Sequence, residues 1–229
     1  MEAGTYAAEV ARPESGFLQR VFMWMFIGLL VTGGVAGVIG ANDSLLTTMT
    51  ETPGIFLIVI AVQLGLVFFI AARINSISPA TATVLFLLYS ASVGVTFAFI
   101  FELYTAQSIF TTFLITSAMF GAVALWGYVT KRDLSTMGTV LFMGLIGLIA
   151  ASIVNLFLAN EAIYWITTYA GVLIFAGLTA YDMQKIKGFA QAGLQGDAEQ
   201  RAAIMGALAL YLDFINLFLY LLRIFGHRR

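Results

Sequence analysis

The chain has 229 residues, of which 61% are hydrophobic and only 10% are charged, whereas about a quarter of the residues in an average soluble domain are charged. This composition excludes a water-soluble globular enzyme, and the net charge of −1 without a basic tract argues against nucleic acid as a partner. The absence of cysteine excludes thiolate sites, and the single histidine, His227, leaves no histidine-ligated zinc or haem, so no cofactor is expected.

A polar tail over residues 1–16 precedes seven apolar segments, each of about the ~20 residues that a helix needs to cross a bilayer. These segments, numbered 1 to 7, are 17–40, 53–72, 80–101, 108–130, 136–159, 163–185 and 204–225. Runs of this length indicate helices rather than a barrel. The prediction is an all-α integral membrane protein with a single transmembrane domain, 17–226, and a basic C-terminal tail, 227–229.

The basic residues predict the orientation in the membrane, since cytoplasmic loops are enriched in lysine and arginine. Eight basic residues lie in the N-terminal tail and the loops after segments 2, 4 and 6: Arg12, Arg20, Arg73, Lys131, Arg132, Lys185, Lys187 and Arg201. Three others, Arg223, Arg228 and Arg229, lie near the C-terminus. We therefore expect a cytoplasmic N-terminus and seven full spans. The alternative is that segment 7 re-enters the membrane without crossing it.

A weak internal repeat groups the segments into hairpins. Thr83–Phe86 recurs as Thr139–Phe142, and Lys131 corresponds to Lys187 at the same offset of about 56 residues. Segments 3–4 and 5–6 would then be copies of one hairpin, and segments 1–2 a third. This pattern predicts three hairpins and a separate seventh helix.

Asp213 lies well inside segment 7, where an ionised side chain costs roughly 2.5–3.5 kcal/mol. A stripe of small and polar residues follows that helix at steps of three and four: Gly206, Ala209, Asp213, Asn216, Tyr220 and Arg223. Asp182 lies near the end of segment 6, and the short loop between the two segments allows them to be antiparallel neighbours. The stripe predicts that segment 7 is surrounded by other helices, with Asn216 and Tyr220 as pore-lining candidates.

The two aspartates have two interpretations at this point. As a pair in a medium of low dielectric they would share one proton and sense pH, and when ionised they would form an oxygen-lined site suited to Ca²⁺. Alternatively, Asp213 is protonated or hydrogen-bonded to Asn216 or Tyr220, and Asp182 is a surface residue paired with Lys185. The residues alone do not decide between them.

Other polar residues are weaker candidates. Arg73 could pair with Asp182 or anchor segment 2 at the membrane surface, and Glu102 could attract cations to an outer mouth or simply end a helix in solvent. Gly33 and Gly37 indicate close helix packing. Two intramembrane aspartates resemble those of the presenilin-like proteases, whose second aspartate follows Gly-x-Gly. Here Leu210-Tyr211-Leu212 stand directly before Asp213, so we do not expect an enzyme.

Three runs of residues identify a family resemblance. Gly177–Lys185 contains Tyr-Asp-Met-Gln, Ala207–Phe218 contains Tyr-Leu-Asp-Phe-Ile-Asn-Leu-Phe, and Tyr89–Thr96 contains Tyr-Ser-Ala-Ser. Over residues 17–226 the chain resembles the Bax inhibitor family, also called the transmembrane Bax inhibitor motif or lifeguard-like family. Its short tails resemble the bacterial inner-membrane branch.

The resemblance implies a fold of seven helices, six of them in hairpins around a central C-terminal helix. It also implies a pH-sensitive passive Ca²⁺ leak channel, in which Asp182 and Asp213 match the two aspartates of the proton sensor. Arg73 is the candidate for an arginine that latches the closed pore, and Gln63 stands where relatives often carry a carboxylate. The transported ion would be Ca²⁺, and the partners would be protons and the lipid bilayer. The alternative is an interaction protein that modulates a membrane protease or a stress response without ion conduction.

Overall fold

The computed structural model of the chain describes residues 2–52 and 54–228, with side chains from Ser15 onward except at position 50. Within these ranges the chain forms eight α-helices and no β-sheet. The helices are α1 (Glu2–Gly40), α2 (Asp43–Glu51), α3 (Ile55–Arg73), α4 (Pro79–Leu103), α5 (Ala106–Val129), α6 (Ser135–Leu158), α7 (Glu161–Gln191) and α8 (Gly196–Phe225). All except α2 are long and apolar enough to cross a membrane, which confirms the predicted all-α transmembrane fold.

The short helix α2 lies in the loop after segment 1 and was not predicted. Its sequence is mostly polar, but Asn42 stands at the N-cap, where its side chain accepts a hydrogen bond from the Leu45 amide at 3.1 Å. Asp43 occupies the first turn, where a negative charge is favourable. A search for apolar runs does not find such a helix, because capping rather than hydrophobicity defines it.

Three helices extend beyond the predicted segments. Helix α1 begins at Glu2, within the predicted tail, although its membrane-spanning part is Ser15–Gly40. Helix α7 continues to Gln191, and α8 begins at Gly196. Apolar windows end where charged residues begin, but a helix can continue into water on charged side chains. Arg229 and the side chains of the tail before Ser15 lie outside the described residues.

The chain divides into two compact units. Unit 1 contains α1 to α4, Phe189–Tyr211 and the C-terminal Arg228; unit 2 contains Ala106–Gly188 and Leu212–His227. Helix α8 contributes residues to both units, and 67% of its most apolar window is buried, the highest share among the spanning helices. That burial agrees with the prediction of a central C-terminal helix.

In unit 1, α1 and α4 pack through glycine. A Cβ at Gly94 would lie 2.7 Å from the Thr32 carbonyl oxygen, and one at Gly28 would lie 2.6 Å from the Phe86 ring. Gly33 and Gly37 do not make the predicted close contact, since among the described atoms nothing lies within 4 Å of a Cβ built at either. Helix α1 does pack closely, but the contact is at Gly28 and not at Gly33 and Gly37.

In unit 2, α7 packs closely against α5 and α6. A Cβ at Gly127 would lie 2.3 Å from the Ala180 carbonyl oxygen, and one at Gly138 would lie 2.5 Å from the Tyr181 ring. Because Ala180 contributes backbone atoms, the α5–α7 contact cannot adjust by a change of side-chain rotamer. These two contacts lie directly before Asp182 and restrict the position of the α7 backbone there.

Candidate functional site

Asp213 is the buried acidic residue of unit 2. It lies on α8, and only 4% of its surface is exposed. Its Oδ2 atom is fully buried and has no hydrogen-bond partner among the described residues. A buried carboxylate oxygen without a partner is costly whether or not the group is ionised. The site therefore holds an unsatisfied acceptor that a proton, a water molecule or a cation could satisfy.

Asp182, on α7, is the second acidic residue of the site. It is half-buried, and the two carboxyl groups are close enough for a charge on Asp182 to repel a charge on Asp213. Lys185, one turn further along α7, attracts Asp182. Unit 2 therefore contains both aspartates that the sequence singled out, and Lys185 follows Asp182 on α7.

The loop between α5 and α6 is fastened to the same end of α7. The side-chain amide of Gln184 accepts a hydrogen bond from the Leu134 amide at 2.8 Å and donates one to the Arg132 carbonyl at 2.8 Å. Lys187 donates to the Tyr128 carbonyl at 2.8 Å, and its ammonium lies 4.9 Å from the centre of the Tyr128 ring. These contacts stabilise the stretch of α7 that carries Asp182.

Sequence reasoning missed Gln184 and Lys187 as positioning residues. Both are polar and follow Asp182 at a predicted segment end, where they were assigned to orientation or to a family motif. In the same loop, hydrogen bonds from the side chain and the backbone amide of Ser135 lower the pKa of the exposed Asp133 below its ordinary value. A polar side chain that follows an intramembrane acid by two or five residues is the signal that would have found the pair.

Asn216 and Tyr220 do not complete the site as hydrogen-bond partners of Asp213. The Asn216 amide donates to the Leu212 carbonyl at 2.8 Å, and the Tyr220 ring stacks on Phe175 with ring centres 5.8 Å apart. Neither interaction satisfies Asp213 Oδ2. No hydrogen bond from Asn216 or Tyr220 to this atom occurs among the described residues, while the alternative of a protonated Asp213 and an Asp182 paired with Lys185 stays a prediction.

The remaining candidates belong to unit 1. Arg73, at the end of α3, and Glu102, near the end of α4, are exposed residues of unit 1. Gln63, also in unit 1, donates to the Ser92 carbonyl at 2.8 Å and to the Thr96 hydroxyl at 2.7 Å, which is the interhelical role expected of a lone amide. The latch role of Arg73 and the cation-attracting role of Glu102 stay predictions.

A metal would find two carboxylates at this site. No group of three or more histidine or acidic side chains suited to a metal occurs among the residues that the structure describes. Ca²⁺ takes six to eight oxygen ligands, so water or backbone oxygens would have to supply the rest.

Similar proteins match this chain in sequence over almost their whole length. Residues 14–229 match the family model described as "Inhibitor of apoptosis-promoting Bax1". The chain is 48% identical to the Escherichia coli "Inner membrane protein YbhL" over 226 residues, which cover 96% of each chain. It is also 46% identical to an uncharacterized protein of Borreliella burgdorferi, covering 93% of this chain and 92% of that one. The chain therefore belongs to the Bax inhibitor family of membrane proteins.

Proposed function

We propose that the protein is a pH-sensitive, passive Ca²⁺ leak channel gated by Asp182 and Asp213. The observation that carries the proposal is the fully buried Oδ2 of Asp213, which has no partner among the described side chains although a second carboxylate lies nearby. The YbhL relative is an inner membrane protein, and we assign the same membrane to this chain, with the N-terminus in the cytoplasm.

The chemistry of the pair explains how pH would act. Two carboxylates in a medium of low dielectric cannot both ionise cheaply, so they share one proton over an intermediate range of pH. The bridging proton holds α7 and α8 together at the site. At higher pH both groups ionise, and their repulsion drives the helices apart and opens the gate. Full protonation at low pH removes the negative charge that attracts the cation.

The contacts around Asp182 indicate which helix moves. Gln184 and Lys187 fasten α7 to the backbone before α6, and Gly127 sits directly against the α7 backbone at Ala180. Asp182 is therefore the fixed member of the pair. Repulsion would be relieved by displacement of the stretch of α8 that carries Asp213.

The small number of protein ligands supports a site through which an ion passes rather than one in which it stays bound. Two carboxylates with water provide a weak site for a divalent cation, and a passing ion must be able to leave as well as enter. The cation would move down its own gradient, and the process requires no covalent step.

Ca²⁺ flux into proteoliposomes, measured over a range of pH, tests the proposal. Asp213→Asn should change the flux and shift its pH dependence, because the remaining carboxyl group titrates alone, without a neighbour with which to share a proton. Asp182→Asn should do the same. Asp197→Asn is the matched control, since Asp197 lies in the first turn of α8 with 72% of its side chain exposed.

Two results would contradict the proposal. An unchanged flux and pH profile in Asp213→Asn would exclude the pair as the gate. Absence of Ca²⁺ flux in the unmodified protein would exclude the channel itself and leave the interaction protein that modulates a membrane protease as the better account.

A further inference from the structure

A column of hydroxyl groups follows the buried face of α5 in unit 2. Ser108, Thr112 and Thr116 recur at every fourth residue, with 7%, 0% and 0% of their surfaces exposed. Spacing of four residues places one hydroxyl on each turn of one helix face. Beyond Thr116 the same face is apolar, with Phe120 and Ala124 buried.

Thr112 differs from the other threonines and serines of these helices. In a membrane helix such a hydroxyl usually donates to the carbonyl three or four residues earlier in the same helix. Among the described residues of the spanning helices, those that do so include Thr32, Thr83, Ser90, Ser92, Thr116, Ser117, Thr139, Thr167, Thr168 and Thr179. Thr112 Oγ1 is buried and has no hydrogen-bond partner among the described residues, so it is turned away from its own helix.

Contacts within unit 2 show where this column lies along α8. His227 donates its amide hydrogen to Ser108 Oγ at 3.0 Å, and the Phe113 and Phe120 rings lie 5.6 Å and 5.4 Å from the Phe214 ring. Ser108 precedes Phe120 by 12 residues and Phe214 precedes His227 by 13, so α5 and α8 run in opposite directions in register. The column therefore covers the stretch between the C-terminal end of α8 and the level of Asp213.

Both buried side-chain atoms that lack a hydrogen-bond partner in the described structure belong to this pair of helices, α5 and α8. Thr112 Oγ1 is on the column, and Asp213 Oδ2 is near its inner end. At about 1.5 Å per residue, Thr116 is only one turn from Phe120, whose ring packs on the neighbour of Asp213. A buried polar atom without a partner costs about 1–3 kcal/mol, and water or a cation at both places would remove that cost.

We infer that Ser108, Thr112 and Thr116 line a hydrated passage from the His227 end of unit 2 to Asp213, in which the Thr112 hydroxyl is an oxygen ligand for a hydrated divalent cation. This inference rests on the proposed function and adds a route on the side of the membrane that faces away from the cytoplasm. Hydroxyl oxygens suit a hard cation that keeps part of its water. The polar stretch ends at Phe120, whose ring contacts Phe214. An ion that reached this end of the passage would lie beside Asp213.

Cysteine accessibility tests the passage directly, because the chain contains no cysteine and background labelling is absent. Thr112→Cys is treated with a cationic, membrane-impermeant methanethiosulfonate reagent added from outside proteoliposomes of known orientation. The control is Leu114→Cys, two residues along α5 with 52% of Leu114 exposed on the surface suited to lipid. Thr112→Cys should react at least about tenfold faster, since the reactive thiolate forms in water and not in lipid.

The outcomes separate the passage from the channel. Protection of Thr112→Cys by added Ca²⁺ supports the cation site, whereas equal rates with and without Ca²⁺ overturn it. A rate no faster than that of Leu114→Cys overturns the passage, whatever the protein transports. Fast labelling in a protein without Ca²⁺ flux overturns the proposed function and supports the aqueous route.

Flux through two further variants provides an independent readout. Thr112→Val removes the hydroxyl at nearly constant volume and should lower Ca²⁺ flux about fivefold to tenfold, the effect of one ligand of hydrogen-bond strength. The pH at which flux changes should stay the same, because the aspartates set it. Thr112→Ser keeps the hydroxyl and should keep the flux. Equal flux in Thr112→Val and the unmodified protein would overturn the ligand role.

Discussion

The two units treat their buried polar groups differently. In unit 1, the Thr32 hydroxyl lies 2.6 Å from the Tyr211 hydroxyl and 2.9 Å from the Ser90 carbonyl, and the Ser90 hydroxyl donates to the Phe86 carbonyl at 2.9 Å. The Phe86 and Tyr89 rings close around Tyr211 at 5.7 Å and 5.9 Å. Unit 2 contains the two buried side-chain atoms, on Thr112 and Asp213, that lack a partner in the described part of the chain.

This difference corresponds to two roles for buried polar groups: one holds helices in place, and the other binds a ligand. A buried network whose members satisfy one another specifies a single arrangement of helices and has no capacity for anything else. A buried group left unsatisfied makes the fold less stable unless something binds to it. Unit 1 therefore has the features of a scaffold, and unit 2 has those of a site.

The largest expected effect is on the contact between α5 and α7. It tests whether the helices of unit 2 pack as closely as those of unit 1. Gly127→Ala places a Cβ 2.3 Å from the Ala180 carbonyl oxygen, and we expect a loss of about 1–3 kcal/mol in the free energy of unfolding. Thermal unfolding in detergent measures the change.

Gly121→Ala, in the same helix, is the control, because no described atom lies within 4 Å of its built Cβ. It should leave the Tm unchanged or raise it, since alanine favours a helix over glycine by roughly 0.5–1 kcal/mol. A Gly127→Ala protein as stable as Gly121→Ala would mean that α5 and α7 are not in backbone contact.

The second effect concerns the hydrogen bonds of unit 1 that join Thr32 to Ser90 and Tyr211. Thr32→Val preserves shape but removes three interactions of the Thr32 hydroxyl, with Gly28, Ser90 and Tyr211. A hydrogen bond between membrane helices is worth about 0.6 kcal/mol on average, and Tyr211 loses a partner, so we expect a loss of about 1–2 kcal/mol. The Tm in detergent should fall, while the pH profile of Ca²⁺ flux should not move.

The smallest effect on stability is also the sharpest test of the comparison. Thr112→Val is the same substitution at an equally buried position, but the hydroxyl that it removes has no partner among the described residues. We expect the Tm to stay the same or to rise. If Thr112→Val is as destabilising as Thr32→Val, the two units do not differ in the way proposed.

Sequence reasoning predicted the spans and the pair of aspartates for one reason. In a membrane the exceptions to an apolar pattern are few, so Asp213 stands out and Asp182 follows from the short loop. Gly127, Gln184 and Thr112 could not be predicted in the same way. Their importance depends on which backbone or side chain lies opposite, and glycine, glutamine and threonine are ordinary residues in or beside membrane helices.

Gln184 binds only main-chain atoms of the loop before α6. Its side-chain amide donates to the Arg132 carbonyl and accepts from the Leu134 amide. Every residue type except proline offers both groups. The identities of the loop residues can therefore change with little effect on this contact, whereas inserting or deleting a single residue would shift both groups out of reach. This contact beside Asp182 therefore depends on the number of residues in the loop and not on their side chains.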